Sequence, residues 1–205
     1  MTVSAPVLAA LTALARAARA AVPRDVPLLV VVDGPAGSGK TTLAAQLTAR
    51  LGDGTGGPAP AVHLDDLYEG WEAGPDGGAA RLAQWVLTPF AAGRPGRYRR
   101  YDWAAGAYAE EHEVPRAPFV VVEGCGAGAR GVDAHARLLL WVEADDAERL
   151  RRGLARDGRA ERAHWVAWMV EEATHYGRER TRERADVRLD GVGRVLTWPS
   201  RVPAT

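Results

Sequence analysis

The stretch LLVVVDGPAGSGKTT, residues 28–42, constrains this chain more than any other. An apolar run, Leu28 to Val32, stops at Asp33, a glycine-rich turn follows, and Lys40, Thr41 and Thr42 open a helix-forming segment. The spacing Gly34-x-x-x-x-Gly39-Lys40-Thr41 is that of a P-loop, or Walker A motif. Gly34, Gly37 and Gly39 let the backbone turn tightly, so that successive N–H groups point into one concavity. Pro35, Ala36 and Ser38 complete the loop, and residues 34–42 are expected to cradle the phosphates of a nucleotide. The helix that follows turns the positive end of its dipole to the same anion. Lys40 is expected to reach the outer phosphates, and the Thr41 hydroxyl to ligate Mg²⁺. The alternative is a glycine-rich turn with a chance lysine, and one count weighs against it. Of 26 lysines and arginines, only Lys40 is a lysine. A compact ammonium stands where a planar guanidinium would not fit beside a phosphate in a tight loop.

At 205 residues the chain suits one domain with a real core. Its formal net charge of zero argues against a general nucleic-acid or membrane-surface binder. Cys125 is the only cysteine, so no intramolecular disulfide can form, which fits a reducing cytoplasm. No apolar run approaches the ~20 residues of a membrane span. The histidines have no metal-binding spacing.

Along the chain, Val7, Leu11, Leu14 and Ala18 recur at helical spacing and predict a helix over 4–22. It is expected to pack on the core as an appendage, residues 1–27, to a P-loop domain over 28–205. A dimer contact is the lesser alternative, so a homo-oligomer stays open. Strands are expected at 28–32, 61–65, 118–123, 137–143 and 185–189, with a short one at 194–198. Helices are expected at 40–51, at 77–92, from Asp145 onward, and at 160–181. Strand, helix, strand in this order means an α/β fold: a P-loop NTPase with a mainly parallel five-stranded sheet and helices on both faces.

Ligands of such sheets bind at the carboxyl ends of strands. That places Asp65 and Asp66, closing the second strand, and Glu123, at the tip of the apolar strand PFVVVE, beside the phosphate site. Asp65 is read as the base that takes a proton from an attacking hydroxyl, with a helix cap or solvated turn as the bland alternative. Glu123 is read as a Mg²⁺-site acid with Thr41, and Asp65 as a further contributor. Tyr101, Asp102 and Trp103 could stack on a ring and hydrogen-bond a hydroxyl, or simply pack a strand. The Arg-rich segment around 149–162 reads as a lid, with Gly153 and Gly158 giving it mobility. Arg152 and Arg156, at i and i+4, are expected to neutralise charge on a moving phosphoryl group. Trp165, Trp168, Met169 and Tyr176 read as core.

Taken in order, GPAGSGKT, LDDLY, YDW, VVVEG and RRGLARDG resemble the uridine kinase-like branch of small P-loop kinases, with phosphoribulokinase and pantothenate kinase as relatives. The resemblance covers about residues 28–190. It implies that Asp65 is the base, that Tyr68 and the Tyr101–Trp103 run meet the acceptor, that Glu123 is the strand-end acid and that Arg156-Asp157 is the lid pair. Two departures stand out: the family's histidine after the aromatic run falls at Gly106, and a lid arginine falls at Gly153, next to Arg152.

The expectation is an ATP- and Mg²⁺-dependent kinase that phosphorylates a hydroxyl of a small molecule, a uridine- or cytidine-like nucleoside first. Asp66 is the second choice for the base. One rival is a kinase for a nucleoside monophosphate or a sugar acid, with Arg94, Arg97, Arg99 and Arg100 binding the anion. Another is a nucleotide-operated regulatory ATPase. A GTPase is disfavoured because its Asn/Thr-Lys-x-Asp run needs a second lysine.

Overall fold

The structure, a computed structural model, describes residues 2–52 and 54–200. Its centre is a six-stranded sheet. In chain order the strands are β1 (Leu28–Asp33), β2 (Ala61–His63), β5 (Phe119–Glu123), β6 (Arg137–Glu143), β7 (Val187–Asp190) and β8 (Val195–Thr197), and in space they run β2-β5-β1-β6-β7-β8. All neighbours are parallel except β7 and β8, so the expected five-stranded parallel sheet is present with one antiparallel strand added at its edge. Every residue of β1 is buried, as a strand covered on both faces requires.

The two faces hold separate cores, and strand periodicity sorts residues between them. Leu28, Val30 and Val32 join Leu138 and Leu140 in the first core, which α1 (Ala5–Ala20) and α2 (Lys40–Leu51) cover. The N-terminal helix buries Leu11, Ala15 and Ala18 there. Leu29 and Val31 face the second core, roofed by Leu82, Val86 and Phe90. Those three come from a continuous helical stretch: α3 (Gly74–Leu82), a wide π-type turn (Ala83–Leu87) and α4 (Thr88–Ala91).

One element is foreshadowed above only by the alternative that the aromatic run packs a strand. Residues flanking the aromatic run form an antiparallel hairpin, β3 (Gly96–Asp102) and β4 (Ala107–Val114), separate from the main sheet. Cross-strand ion pairs link it: Arg97 to Glu113 at 2.6 Å and to Glu111 at 3.3 Å, and Arg100 to Glu110 at 2.6 Å. The chain closes with α5 (Asp146–Asp157), α6 (Arg162–Glu179) and the short α7 (Thr181–Arg184). Asp145 caps α5, accepting from the amides of Ala147 and Glu148. No described helix is long and apolar enough to cross a membrane.

Candidate active site

A cleft of about 910 Å³ opens at the carboxyl end of the sheet. Ala36, Gly37, Gly39, Lys40, Thr41 and Thr42 line one end of it. Several P-loop amides already have acceptors: Gly34 N–H donates to Asp33, Ala36 N–H to Glu172 and Ser38 N–H to the Pro35 carbonyl. Pro35 has no N–H. These four residues of the expected phosphate cradle therefore shape the loop. The amides of Gly37, Gly39, Lys40 and Thr41, at the N-terminus of α2, have no acceptor among the described residues.

The loop is braced from behind. The Asp33 carboxylate is fully buried and accepts from Gly34, Gly126 and Gly128 amides, with the Tyr176 hydroxyl 2.8 Å away. Burial raises its pKa, and the hydrogen bonds offset part of that rise. A buried ion pair of Arg149 on α5 and Glu172 on α6 grips Ala36 on both sides. Arg149 donates to its carbonyl at 3.0 Å and Glu172 accepts from its amide at 2.8 Å. α5 packs so close that a Cβ on Gly37, at φ 77°, would lie 2.7 Å from the Arg149 carbonyl oxygen. Arg149 is thus a fixed strut, and only the part of α5 beyond it can belong to a lid.

Lys40 is 7% exposed, donates to the Pro35 carbonyl at 3.0 Å, and makes no ion pair among the described residues. Burial works against its charge, but its buried neighbours Cys125, Glu123, Asp33 and Glu172 together raise its pKa. A buried, charged ammonium without a counterion, beside open amides, is an anion site. Cys125 adjoins it at 3.5 Å, and burial pushes that thiol up to about 12, so it stays neutral. Thr41 Oγ1 lies 3.1 Å from Glu123 Oε1, and His63 Nδ1 lies 2.8 Å from the same oxygen. The hydrogen bond to Glu123 raises the His63 pKa.

At the other end, Asp65 faces the cleft from the single turn Leu64–Asp66. Its carboxylate has no hydrogen-bond or ion-pair partner among the described residues. The protein walls around it and the Glu123 charge raise its pKa; Lys40, Arg156 and His63 pull against them. Asp66 points elsewhere, held by the Tyr98 hydroxyl at 3.2 Å, and does not line the cleft. Tyr68 lines it, but its hydroxyl is committed to the Cys125 carbonyl at 2.7 Å.

The expected aromatic run divides. Trp103 reaches the cleft, donating from Nε1 to the Asp65 carbonyl at 2.9 Å. Tyr101 is buried behind it, edge-on to Trp103 and Tyr108. Asp102, expected to meet the acceptor, instead closes the β3–β4 turn, accepting at 3.0 Å from the amides of Ala104 and Ala105. A short polar side chain at a turn is drawn to its own backbone.

Arg152 and Arg156 both line the cleft. Arg152 donates to the carbonyls of Gly37 and Ser38 at 3.3 and 3.4 Å and pairs with Glu148. Arg156 pairs with Asp157 and rests over the Trp165 ring at 5.8 Å. Gly153, expected to lend mobility, serves packing instead: a Cβ there would lie 2.2 Å from the Trp165 ring.

Trp165 and Trp168 are buried as expected of core, yet they also wall the cleft, together with Trp71. Nothing in the sequence pattern singles out Trp71, which lies between Gly70 and Gly74 in a loop turn. Helical spacing identifies the inner face of α6, but not that this face borders a cavity. Asp33, Glu172 and Glu161, which also line or support the site, carry no signal of that in the sequence, whereas Asp157 of the expected lid pair does line the cleft.

No protein-family model matches the chain, and no curated protein is similar to it in sequence. Solved structures do match. A possible uridine kinase from Bacillus stearothermophilus superposes with a TM-score of 0.62 at 19% identity, over 89% of this chain and 97% of that one. A candidate fructose transport system kinase from Silicibacter sp. TM1040 gives 0.51 at 22% identity, over 85% and 94%. With the β2-β5-β1-β6-β7 parallel order and the loop after β1, the chain therefore has the P-loop fold and shares it with these solved structures.

Proposed function

We propose that this chain is an ATP- and Mg²⁺-dependent kinase that transfers the γ-phosphoryl group to a hydroxyl of a small molecule. The observation that carries the reading is the opposition of two unpaired charges across one cleft. The Lys40 ammonium and the open α2 amides stand at one end, and the Asp65 carboxylate at the other. The acceptor oxygen bonds to the γ-phosphorus, the bond to the β–γ bridging oxygen breaks, and ADP leaves. Asp65 takes the hydroxyl proton. Lys40, Arg152 and Arg156 neutralise the charge that develops.

Thr41 and Glu123 would hold Mg²⁺, with Asp65 near them. No cluster of three or more protein acids, histidines or cysteines able to hold a metal exists among the described residues. That suits Mg²⁺, which takes one or two protein ligands and fills its remaining positions with water and phosphate oxygens. When bound it neutralises charge on the β- and γ-phosphates.

None of Arg94, Arg97, Arg99 and Arg100, the residues offered for an anionic acceptor, lines the cleft. Arg97 and Arg100 are matched by glutamates across the hairpin, and Arg99 donates to the carbonyls of Ala109 and Tyr108. The aromatic walls favour an uncharged or cationic alcohol, and nucleosides and sugars remain within that class.

The test is ADP release from MgATP against a panel of nucleosides, sugars, amino alcohols and phosphorylated acceptors. ADP release that no acceptor stimulates would sink the kinase. A second test uses the single lysine. A small amine-reactive reagent should label Lys40 slowly, more slowly than the N-terminal amine because Lys40 is buried and its pKa raised, and MgATP should slow that labelling further. Labelling of Lys40 indifferent to MgATP contradicts the phosphate site.

A further inference from the structure

We infer that the acceptor carries a positively charged nitrogen, as in an amino alcohol or amino sugar, and that the tryptophan-walled end of the cleft recognises it. The inference rests on the kinase reading above and narrows it. Four of the chain's seven tryptophans, Trp71, Trp103, Trp165 and Trp168, gather at the end of the cleft that holds Asp65. Their arrangement matters more than their number. Trp71 meets Trp103, Trp168 and Trp165 edge-on, at centroid distances of 5.5, 5.9 and 6.4 Å and interplanar angles of 71°, 77° and 64°. A slot for a flat base needs two parallel faces with a gap between them. The parallel pair here, Trp71 and His164, is already in contact at 5.6 Å and 15°. Three rings set steeply to Trp71 make a box rather than a slot, which suits a compact cation drawn to the negative faces of the rings.

Charge points the same way. Of the acids lining this end, Asp65 is unpaired and Glu161 meets only the exposed His164. Asp157 alone has an arginine partner, Arg156. That arginine lies over the Trp165 ring at 5.8 Å, so one cation already uses this wall. A phosphate or carboxylate on the acceptor would face Asp65 and Glu161 instead. Burying an ammonium beside them and against indole faces removes that imbalance.

The experiment compares matched acceptors with the full chain and MgATP, reading acceptor-dependent ADP release: glucosamine against N-acetylglucosamine and glucose, choline and ethanolamine against ethylene glycol, with uridine and cytidine as neutral ring-bearing controls. The expected result is a kcat/KM roughly tenfold or more higher for the charged member of a pair, the size of one partly desolvated cation–π contact. Trp103→Leu, at a 41% exposed position, and Glu161→Gln should each shrink that ratio at least about threefold while leaving the neutral members less affected. Preference for neutral acceptors, or equal use of both, overturns the cationic acceptor and leaves the kinase standing. Unchanged ratios in both variants overturn the assigned box. ADP release that no acceptor stimulates overturns the kinase and this inference together.

Discussion

At the P-loop end of the cleft, the lining comes mainly from residues 36–42, whereas the aromatic end draws Tyr68, Trp71, Trp103, Trp165 and Trp168 from four separate segments. The first end is also held more tightly. Asp33, Tyr176, Arg149 and Glu172 fix the loop through buried polar contacts, while Trp71 and Trp103 sit on exposed or half-buried turns. A triphosphate is the same in every reaction, so its cradle can be rigid and local. The acceptor is what distinguishes one such enzyme from another, and its walls come from elements that can vary independently.

The largest effect should come from breaking each end separately. Asp65→Asn removes the base but keeps the shape, and kcat should fall by ~10²–10⁴ with ATP affinity little changed. Lys40→Met should lower turnover by ~10²–10³ or more and weaken ATP binding as well. Titrating both variants with ATP, followed by nucleotide fluorescence, separates the two. Equal loss of ATP binding in both would erase the division between the ends.

The P-loop end is legible in the sequence because its parts are neighbours in the chain. Gly34 to Thr42 declare a backbone shape, and the strand before and the helix after supply the context. Glu123 at the tip of β5 follows from the rule about carboxyl ends of parallel strands; Asp65 follows from it too, although β2 stops at His63 and the acid stands in the turn beyond rather than closing the strand. The braces do not. Glu172 lies one turn beyond Trp168 on a helix whose acids otherwise read as solvated, and only the fold brings it to Ala36. The hairpin was hidden by composition: β4 reads AYAEEHEV, and its alanines and glutamates are poor strand formers. The tryptophans of α6 were assigned to the right face, but a sequence pattern does not distinguish packing against a neighbour from bordering a cavity.

Next in size is the brace. Glu172→Gln leaves the buried Arg149 guanidinium with only the exposed Asp146 as a carboxylate partner, and removing the buried partner of such a pair costs up to ~3–5 kcal/mol. Chemical denaturation should register that loss, and ATP affinity should drop because Ala36 is freed. Unchanged ATP affinity in a destabilised protein would make the pair a core element with no bearing on the loop.

A smaller effect distinguishes a hinge from a packing glycine. Gly153 lies inside α5, where alanine is intrinsically better by about 1 kcal/mol. A flexible hinge would therefore gain stability in Gly153→Ala. Contact with Trp165 predicts the opposite sign, a loss of ~1–3 kcal/mol from overpacking, with a raised acceptor KM as Trp165 is displaced. The sign of the shift in denaturation midpoint decides between them.

The smallest expected effect bears on the anionic rival. Arg97 and Arg100 sit in exposed or half-exposed ion pairs on the hairpin, Arg97 at 60% side-chain exposure, and such pairs are worth ~0–1 kcal/mol. Arg97→Ala should therefore change stability little and leave kcat and KM unaltered for every acceptor, since this arginine lies outside the cleft lining. Arg100→Ala should behave the same, apart from a slight loosening of the turn through Asp102 at 3.4 Å. A selective rise in KM for a phosphorylated or carboxylated acceptor in either variant would move the acceptor's anion onto the hairpin. It would also separate recognition from the tryptophan walls, because those walls and the hairpin arginines cannot both be the principal contact of one small molecule.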